Sequence, residues 1–378
     1  MFILNRYLLR QFVQIFAICF MSLTGLYIVI DAFGHLDHFS SHAKETGGSL
    51  FKIIAEYYAY RSLDFFDRTS GILAMIAAMF TVTWLQRYQE MTAMMAAGIS
   101  KYRILRPLLV CVAVVSLAAA ANREFVIPSL RDELTTDSKD LGGVNARPLE
   151  ARFDSQTDIL IGGEKVITAE QRIIRPTFIL EGQLAKYGRR LVAESAVFSP
   201  AEGNRPAGYF LKGVTTPSQI TNQRTLTLED RPVIVTPKDG SWLAEDEVFV
   251  VSELSFAMLA NGSNWRNYSS SRELIEELHH PSTDLGPDVQ VAVHSRAVQP
   301  LMDGTLLMLG LPLMFSRRNR NVFLSIGICL LVATLFSLVT LGCRSLGDLG
   351  MIRPVLAAWA PLLLFVPVAA AMSQTLRT

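Results

Sequence analysis

Gln89-Glu-Met-Thr-Ala-Met-Met-Ala-Ala-Gly98-Ile-Ser-Lys-Tyr-Arg103-Ile-Leu-Arg106-Pro107 joins two apolar stretches and holds the most suggestive set of side chains in the chain. Glu90 to Ala97, rich in Ala and Met, reads as a short helix. Gly98 suits the position just past a helix end, and Ser100 suits the cap of the next helix. Small residues such as Ala93 and Ala97 let a partner's groove approach closely. Exposed methionines such as Met94 give adaptable apolar contacts, and Glu90 offers a charge to a basic partner. Arg103 and Arg106 stay on the aqueous side. Two readings are open: an element that passes a push from a separate motor to the flanking helices, or a plain interfacial helix on lipid headgroups.

Other chemistry is thin. There is no GxxxxGK[ST], HExxH or GxSxG, and Gly162-Gly163-Glu164-Lys165 has neither the spacing nor the hydroxyl of a phosphate-binding loop. His279-His280 lacks a third ligand at usable spacing and reads as solvated surface. His35, His38 and His42 share a face if their segment is helical, which suits either a metal or pH-sensing role or a wet interfacial face. Cys19, Cys111, Cys329 and Cys343 lie in or beside apolar stretches with no CxxC pair, so no disulfide framework, zinc site or other cofactor is expected.

These residues hang on a very apolar chain. Of 378 residues 50% are hydrophobic and only 18% charged, against about 25% in soluble domains. The net charge of +1 excludes a strongly basic nucleic-acid binder. A bilayer core of about 30 Å needs about 20 apolar helical residues. Phe12–Ile30, Ile104–Ala121, Val298–Phe315, Val322–Gly342 and Val355–Ser373 meet or approach that length. Ser70–Leu85 is short and is expected to begin near Ser62, with Asp64, Asp67 and Arg68 at the membrane edge. There Arg61, Asp64 and Arg68 have spacings that let them neutralise one another. This predicts six spans, three on each side of a polar insert. The first is too long for a signal peptide, and no small-residue cleavage site follows it.

Lys and Arg near helix ends set the orientation. Arg6, Arg10, Arg87, Lys101, Arg103, Arg106, Arg317, Arg318, Arg320 and Arg377 fall on one side of a six-span layout. Lys44, Lys52, Arg344 and Arg353 form a sparser set opposite. Both termini are therefore expected in the cytoplasm, with residues about 128–294 outside it. The insert reads as short strands: Asp158–Ile161 and Glu164–Thr168 around a Gly162-Gly163 turn, then runs at 173–180, 190–198, 209–214, 225–228, 233–235 and 247–251. A sandwich, jelly roll or open barrel is expected. Residues 261–271 read as loop. Ser271–His280 reads as a helix capped by Ser270 or Ser271 and stopped by Pro281.

The pattern E-x-T-A-x-x-A-A-G-I-S-x-x-R-x-x-x-P at Glu90–Pro107 resembles the coupling segment of the lipopolysaccharide-transport permeases, the LptF/LptG (YjgP/YjgQ) family. Asn122-Arg-Glu124-Phe-Val-Ile-Pro128 is similar to that family's exit from the third span. His294-Ser-Arg296-Ala-Val-Gln-Pro300, Leu309-Gly-Leu-Pro312 and Arg317-Arg318 look like its fourth span and the basic loop after it, and Gly347 and Trp359 fit as well. The likeness spans nearly the whole chain.

It implies helices 1–3 and a coupling helix near 88–98 within residues 1–127, and a periplasmic β-jelly-roll over 128–260. A connecting segment would cover 261–296, and helices 4–6 would cover 297–378. It also implies an inner-membrane permease paired with a second, similar chain. A separate cytoplasmic ABC ATPase would dock on Glu90, Ala93, Met94, Ala97, Gly98, Ser100 and Arg103. Lipopolysaccharide or a related glycolipid would pass between spans 1 and 5 to a periplasmic bridge protein.

The family often has a basic residue at the outer end of span 1, where this chain has Asp31, His35 and Asp37. Asp303, an acid a few residues inside span 4, is a functional candidate by default, although its place after Pro300 also suits the wet rim. Asp31, His35, Asp303 and Arg344 are the candidates for a substrate gate. Two rival readings are a permease for lipoprotein release or another export system, such permeases usually having four spans, and a membrane-anchored enzyme acting in the insert.

Overall fold

The computed structural model describes residues 2–135, 147–167, 170–202, 205–217, 220, 223–228, 231–240, 242–254, 256–261, 264–279, 286–315 and 322–374. Arg317, Arg318, Arg320, Arg377, His280 and Thr168 lie outside them. The chain divides into two compact units, Met1–Glu133 with Gly286–Thr378, and Leu134–Leu285.

The first unit is helical. It contains α1 (Phe2–Gly34), α2 (Leu36–Thr46), α3 (Leu50–Arg87), α4 (Glu90–Ala96), α5 (Lys101–Ala121) and the short α6 (Ile127–Ser129). The next turn, α7 (Arg131–Thr135), leads out of it, and α11 (Pro287–Phe315), α12 (Val322–Asp348) and α13 (Pro354–Gln374) complete it. One apolar core joins residues from before and after the other unit, among them Phe12, Met79, Leu108, Leu307, Cys329 and Phe365.

Among the described residues five helices are long and apolar enough to cross a membrane: Ile3–Gly34, Leu50–Arg87, Lys101–Ser129, Ile326–Asp348 and Pro354–Gln374. The remaining long helix, α11, has 29 residues and includes Asp288, His294, Arg296 and Asp303, which lower its hydropathy. It packs against α3, α5, α12 and α13, so many of its side chains meet protein rather than lipid.

The second expected span lies in α3, which begins at Leu50, not near Ser62. Its first turns are too polar to read as a span, but Tyr57 and Tyr58 are buried there against Phe39 of α2, with ring centroids 5.2 and 6.1 Å from it. Packing carries the helix past the apolar stretch to 38 residues, about 57 Å at 1.5 Å per residue. The histidine segment is helical over Leu36–Thr46, and Gly47 ends it with φ 64°.

Near Pro128 the helix changes pitch. Proline has no N–H to donate to residue 124, and its ring crowds that carbonyl. The backbone widens into a π turn over Asn122–Val126, where the Ile127 N–H reaches Asn122 O. The Asn122 side chain, freed by the wider turn, donates to Leu63 O at 2.9 Å.

The second unit is built on one antiparallel sheet: β1 (Arg147–Pro148), β2 (Arg152–Asp154), β3 (Ile159–Ile167), β4 (Arg172–Leu180), β5 (Arg190–Ser199), β6 (Gly208–Thr216), β7 (Leu226–Leu228), β8 (Arg231–Val235) and β9 (Glu247–Val251). Among the described residues its nine strands run β1-β3-β4-β5-β6-β9-β8-β7, with β2 also on β3.

The expected Gly162-Gly163 turn is absent, and β3 passes straight through both glycines. They serve close packing: a Cβ at Gly163 would come 2.6 Å from Ile173 Cγ2, and one at Gly162 3.2 Å from Ala151 Cβ. Beside them Arg175 adopts φ 45°, and the alternation of buried residues shifts phase in both strands. Ile159 and Ile161 then Val166 are buried in β3, and Ile173 then Phe178 and Leu180 in β4. An exposed Arg175–Glu164 pair at 3.0 Å crosses the break.

Two polar anchors tie the sheet to its loops. Buried Asp154 accepts from Ser252 Oγ at 2.6 Å and from the Gln156 N–H at 3.0 Å. Tyr209, fully buried, donates to Leu254 O at 2.8 Å, and burial pushes its phenol well above the usual range. Three short helices follow: α8 (Phe256–Asn261), α9 (Asn264–Tyr268) and α10 (Ser271–Leu278). The described part of the stretch read as loop is largely helical, with Asn261 ending α8 and Asn264–Tyr268 forming α9; Phe256, Met258 and Leu259, just before it, are buried and anchor α8. Ser270 caps α10 in a reciprocal box with Glu273, bonds of 3.2 and 2.9 Å.

Candidate coupling segment and intramembrane polar cavity

The turn from α3 into α4 is made at Gln89, whose backbone is left-handed with φ 61°. α4 is two turns long. Its end follows the Gly98 prediction: Gly98 has φ 81°, its N–H reaches Met95 O at 3.0 Å, and the Ile99 N–H reaches Met94 O at 3.0 Å. This double closure satisfies the orphan carbonyls and lets α5 start two residues later. Ser100 has the extended backbone of a cap residue, but its hydroxyl makes no capping bond.

The side-chain arrangement corrects the sequence reading. The methionines are turned inward: Met91 is buried, and Met94 and Met95 are half-buried against the helical core. The outward face is small instead, made of Thr92, Ala93, Ala96, Ala97 and Gly98. Glu90 is engaged within the chain, accepting from Tyr7 Oη of α1 at 2.9 Å. Arg103 faces a groove against α1, alongside Arg106.

The four gate candidates fall into two separate groups. Asp31 accepts from Tyr58 Oη at 2.6 Å, and its backbone carbonyl lies 2.9 Å from His35 Nδ1. His35 and His38 have ring centroids 6.3 Å apart. Among the described residues no group of three or more His, Cys, Asp or Glu side chains is placed to hold a metal.

Asp303 and Arg344 meet elsewhere. Asp303, only 5% exposed, accepts from Ser116 Oγ of α5 at 2.5 Å and from Gln299 Nε2 at 3.1 Å. Arg344 of α12 donates to Gln299 Oε1 at 2.9 Å. Asp303 is therefore buried between helices rather than set at a wet rim. The glycine opposite makes room for it, because a Cβ on Gly71 of α3 would run into the carboxylate. Beside this chain Asp67 of α3 takes two bonds from Arg123, both about 2.9 Å, with the pair 12% and 16% exposed. Asp64 pairs with Arg68 at 2.9 Å, while Arg61 lies 4.6 Å over the Tyr57 ring.

Together Asp67, Gly71, Gln299, Asp303, Phe336 and Arg344 line a cavity of about 310 Å³ that mixes charged, polar and apolar side chains. Such polar clusters are costly in a membrane interior and are retained where they pair with one another or meet a polar path. Sequence reading missed Tyr7, Ser116, Gln299 and the Asp67–Arg123 pair. Asp67 is expected at the membrane edge, and Arg123 and Gln299 lie inside the Asn122–Pro128 and His294–Pro300 patterns, but nothing local tells which partners they meet.

Long apolar helices, a buried polar cluster between them and an antiparallel β unit inserted in mid-chain define a membrane protein of the permease type. The description "Lipopolysaccharide export system permease LptF/LptG" matches residues 6–375, and the chain belongs to that family of transport components. A comparison with curated proteins finds no match.

Proposed function

We propose that this chain is one permease subunit of an inner-membrane ABC exporter that lifts lipopolysaccharide, or a closely related glycolipid, out of the bilayer. A separate ATPase docks on α4, and a second permease chain completes the cavity. The observation that carries this reading is the small outward face of α4, clamped between two spans by the turns at Gln89 and Gly98 and held to α1 by Glu90–Tyr7. A rigid peg of this kind transmits displacement rather than absorbing it.

Further features support the same reading. α1 exposes Ile18, Met21, Leu26, Val29 and Phe33, and α12 exposes Leu331, Leu335 and Leu338. These are apolar faces suited to lipid or to a second permease, as expected of lateral openings at the first and fifth spans. α11 serves as the fourth of six spans, its charges accommodated by neighbouring helices. The β unit is periplasmic and closes toward a jelly roll that receives the acyl chains and passes the cargo to a bridge protein. Transferring acyl chains out of lipid costs roughly 0.8 kcal/mol per CH₂ exposed, so an apolar receiving surface is required.

Ala93→Trp tests the docking directly. It should abolish co-purification of an ATPase while leaving membrane insertion intact. Normal co-purification and normal glycolipid export in that variant would overturn the reading.

A further inference from the structure

The start of α1 and the start of α5 enclose a groove of about 910 Å³. Its walls divide by chemistry: Leu4, Leu9 and Val110 are apolar, while Tyr7, Arg103 and Arg106 are polar. Arg103 and Arg106 are three residues apart and so share one face of α5. Neither is paired with a described carboxylate, unlike Arg68 and Arg123. The groove also lies where charge gives way to apolar sequence on both helices. Arg10 is the last charge before the apolar part of α1, and Arg106 the last before that of α5. That is the level of lipid headgroups for two membrane-crossing helices.

We propose that this groove binds an acidic phospholipid, its phosphate between the Arg103 and Arg106 guanidiniums and its upper acyl chain along Leu9 and Val110. The occupant must be anionic at one end and apolar at the other, which a free phosphate is not. It would also touch the coupling segment. Ile99, which closes the α4 turn through Met94 O, lines the groove, and Tyr7 bonds Glu90. The site therefore allows the surrounding lipid to stiffen α4. It depends on α1 and α5 crossing a membrane and is independent of the exported cargo.

The test uses the full chain, purified with whatever subunits accompany it, in phosphatidylcholine nanodiscs titrated with phosphatidylglycerol, with retained lipid counted by native mass spectrometry. Phosphatidylglycerol should be retained in preference to phosphatidylcholine. Arg103→Gln with Arg106→Gln should lower that retention ~10-fold, Arg103→Lys with Arg106→Lys should keep most of it, and Arg87→Gln should not change it. Three outcomes would each overturn the site: equal retention of both lipids by the unaltered chain, unchanged retention by the double Gln variant, or displacement of the lipid by equimolar inorganic phosphate. A photocrosslinker at Leu4 should capture lipid; consistent capture of a polypeptide there would assign the groove to a protein instead.

Discussion

Single side chains decide several local outcomes. Gly98 must hold φ 81°, where a β-branched residue is strongly disfavoured. Gly98→Val should cost about 1–2 kcal/mol locally, read as faster hydrogen exchange across 90–100, and Gly98→Asn should be tolerated better. Tyr209→Phe leaves a buried Leu254 carbonyl without its donor, so the β unit should lose about 1–3 kcal/mol, measured as earlier proteolysis of the insert on heating. Asp239 is held below the usual carboxylate range by the Thr225 N–H, 2.7 Å away. Because the folded value is the lower one, this contribution is present above the ordinary carboxylate range and is lost as pH falls through the depressed value. Thr225 amide protection should therefore survive mild acid and vanish below that range. In Asp239→Asn it should not change with pH there; a matching acid loss in that variant would refute the assignment.

At the level of elements, legibility depended on whether the signal was local. The limits of α4, its Gly98 stop and the Ser270 cap were readable because they rest on backbone chemistry within a few residues. Most strands were found to within a residue or two for the same reason, since β-branched runs advertise themselves. The Gly162-Gly163 pair was misread because a turn and a close approach of neighbouring strands call for the same residue, and only Ile173 on the adjacent strand distinguishes them. The inward methionines and the Tyr7–Glu90 bond were hidden because they depend on contacts with distant helices. Gly71 is a sharper case, needed only because Asp303 lies opposite. Gly71→Val should push α3 away from α11 and reduce export. Export at the unaltered level in that variant would remove the polar cavity from the transport path.

At the level of the whole chain, composition alone revealed a membrane protein with a polar insert, because bilayer thickness imposes a length that few sequences meet by accident. Among the described residues α11 is not one of the helices apolar enough to cross alone, and a helix packed against four others has no need to look greasy. Cysteine labelling from either side of the membrane should place residue 97 with the cytoplasm and residue 212 with the periplasm. Finding both on one side would dismantle the six-span layout.

The shared helical core has a practical consequence. Phe12, Met79 and Leu108 interdigitate with Leu307, Cys329 and Phe365, and Ser116 is bonded to Asp303, although all of Leu134–Leu285 intervenes in the sequence. A peptide bond broken anywhere in that intervening stretch would not free the carboxyl-terminal helices. The severed pieces should stay clasped in the bilayer, and the two halves, produced from separate messages, should find each other and rebuild the bundle.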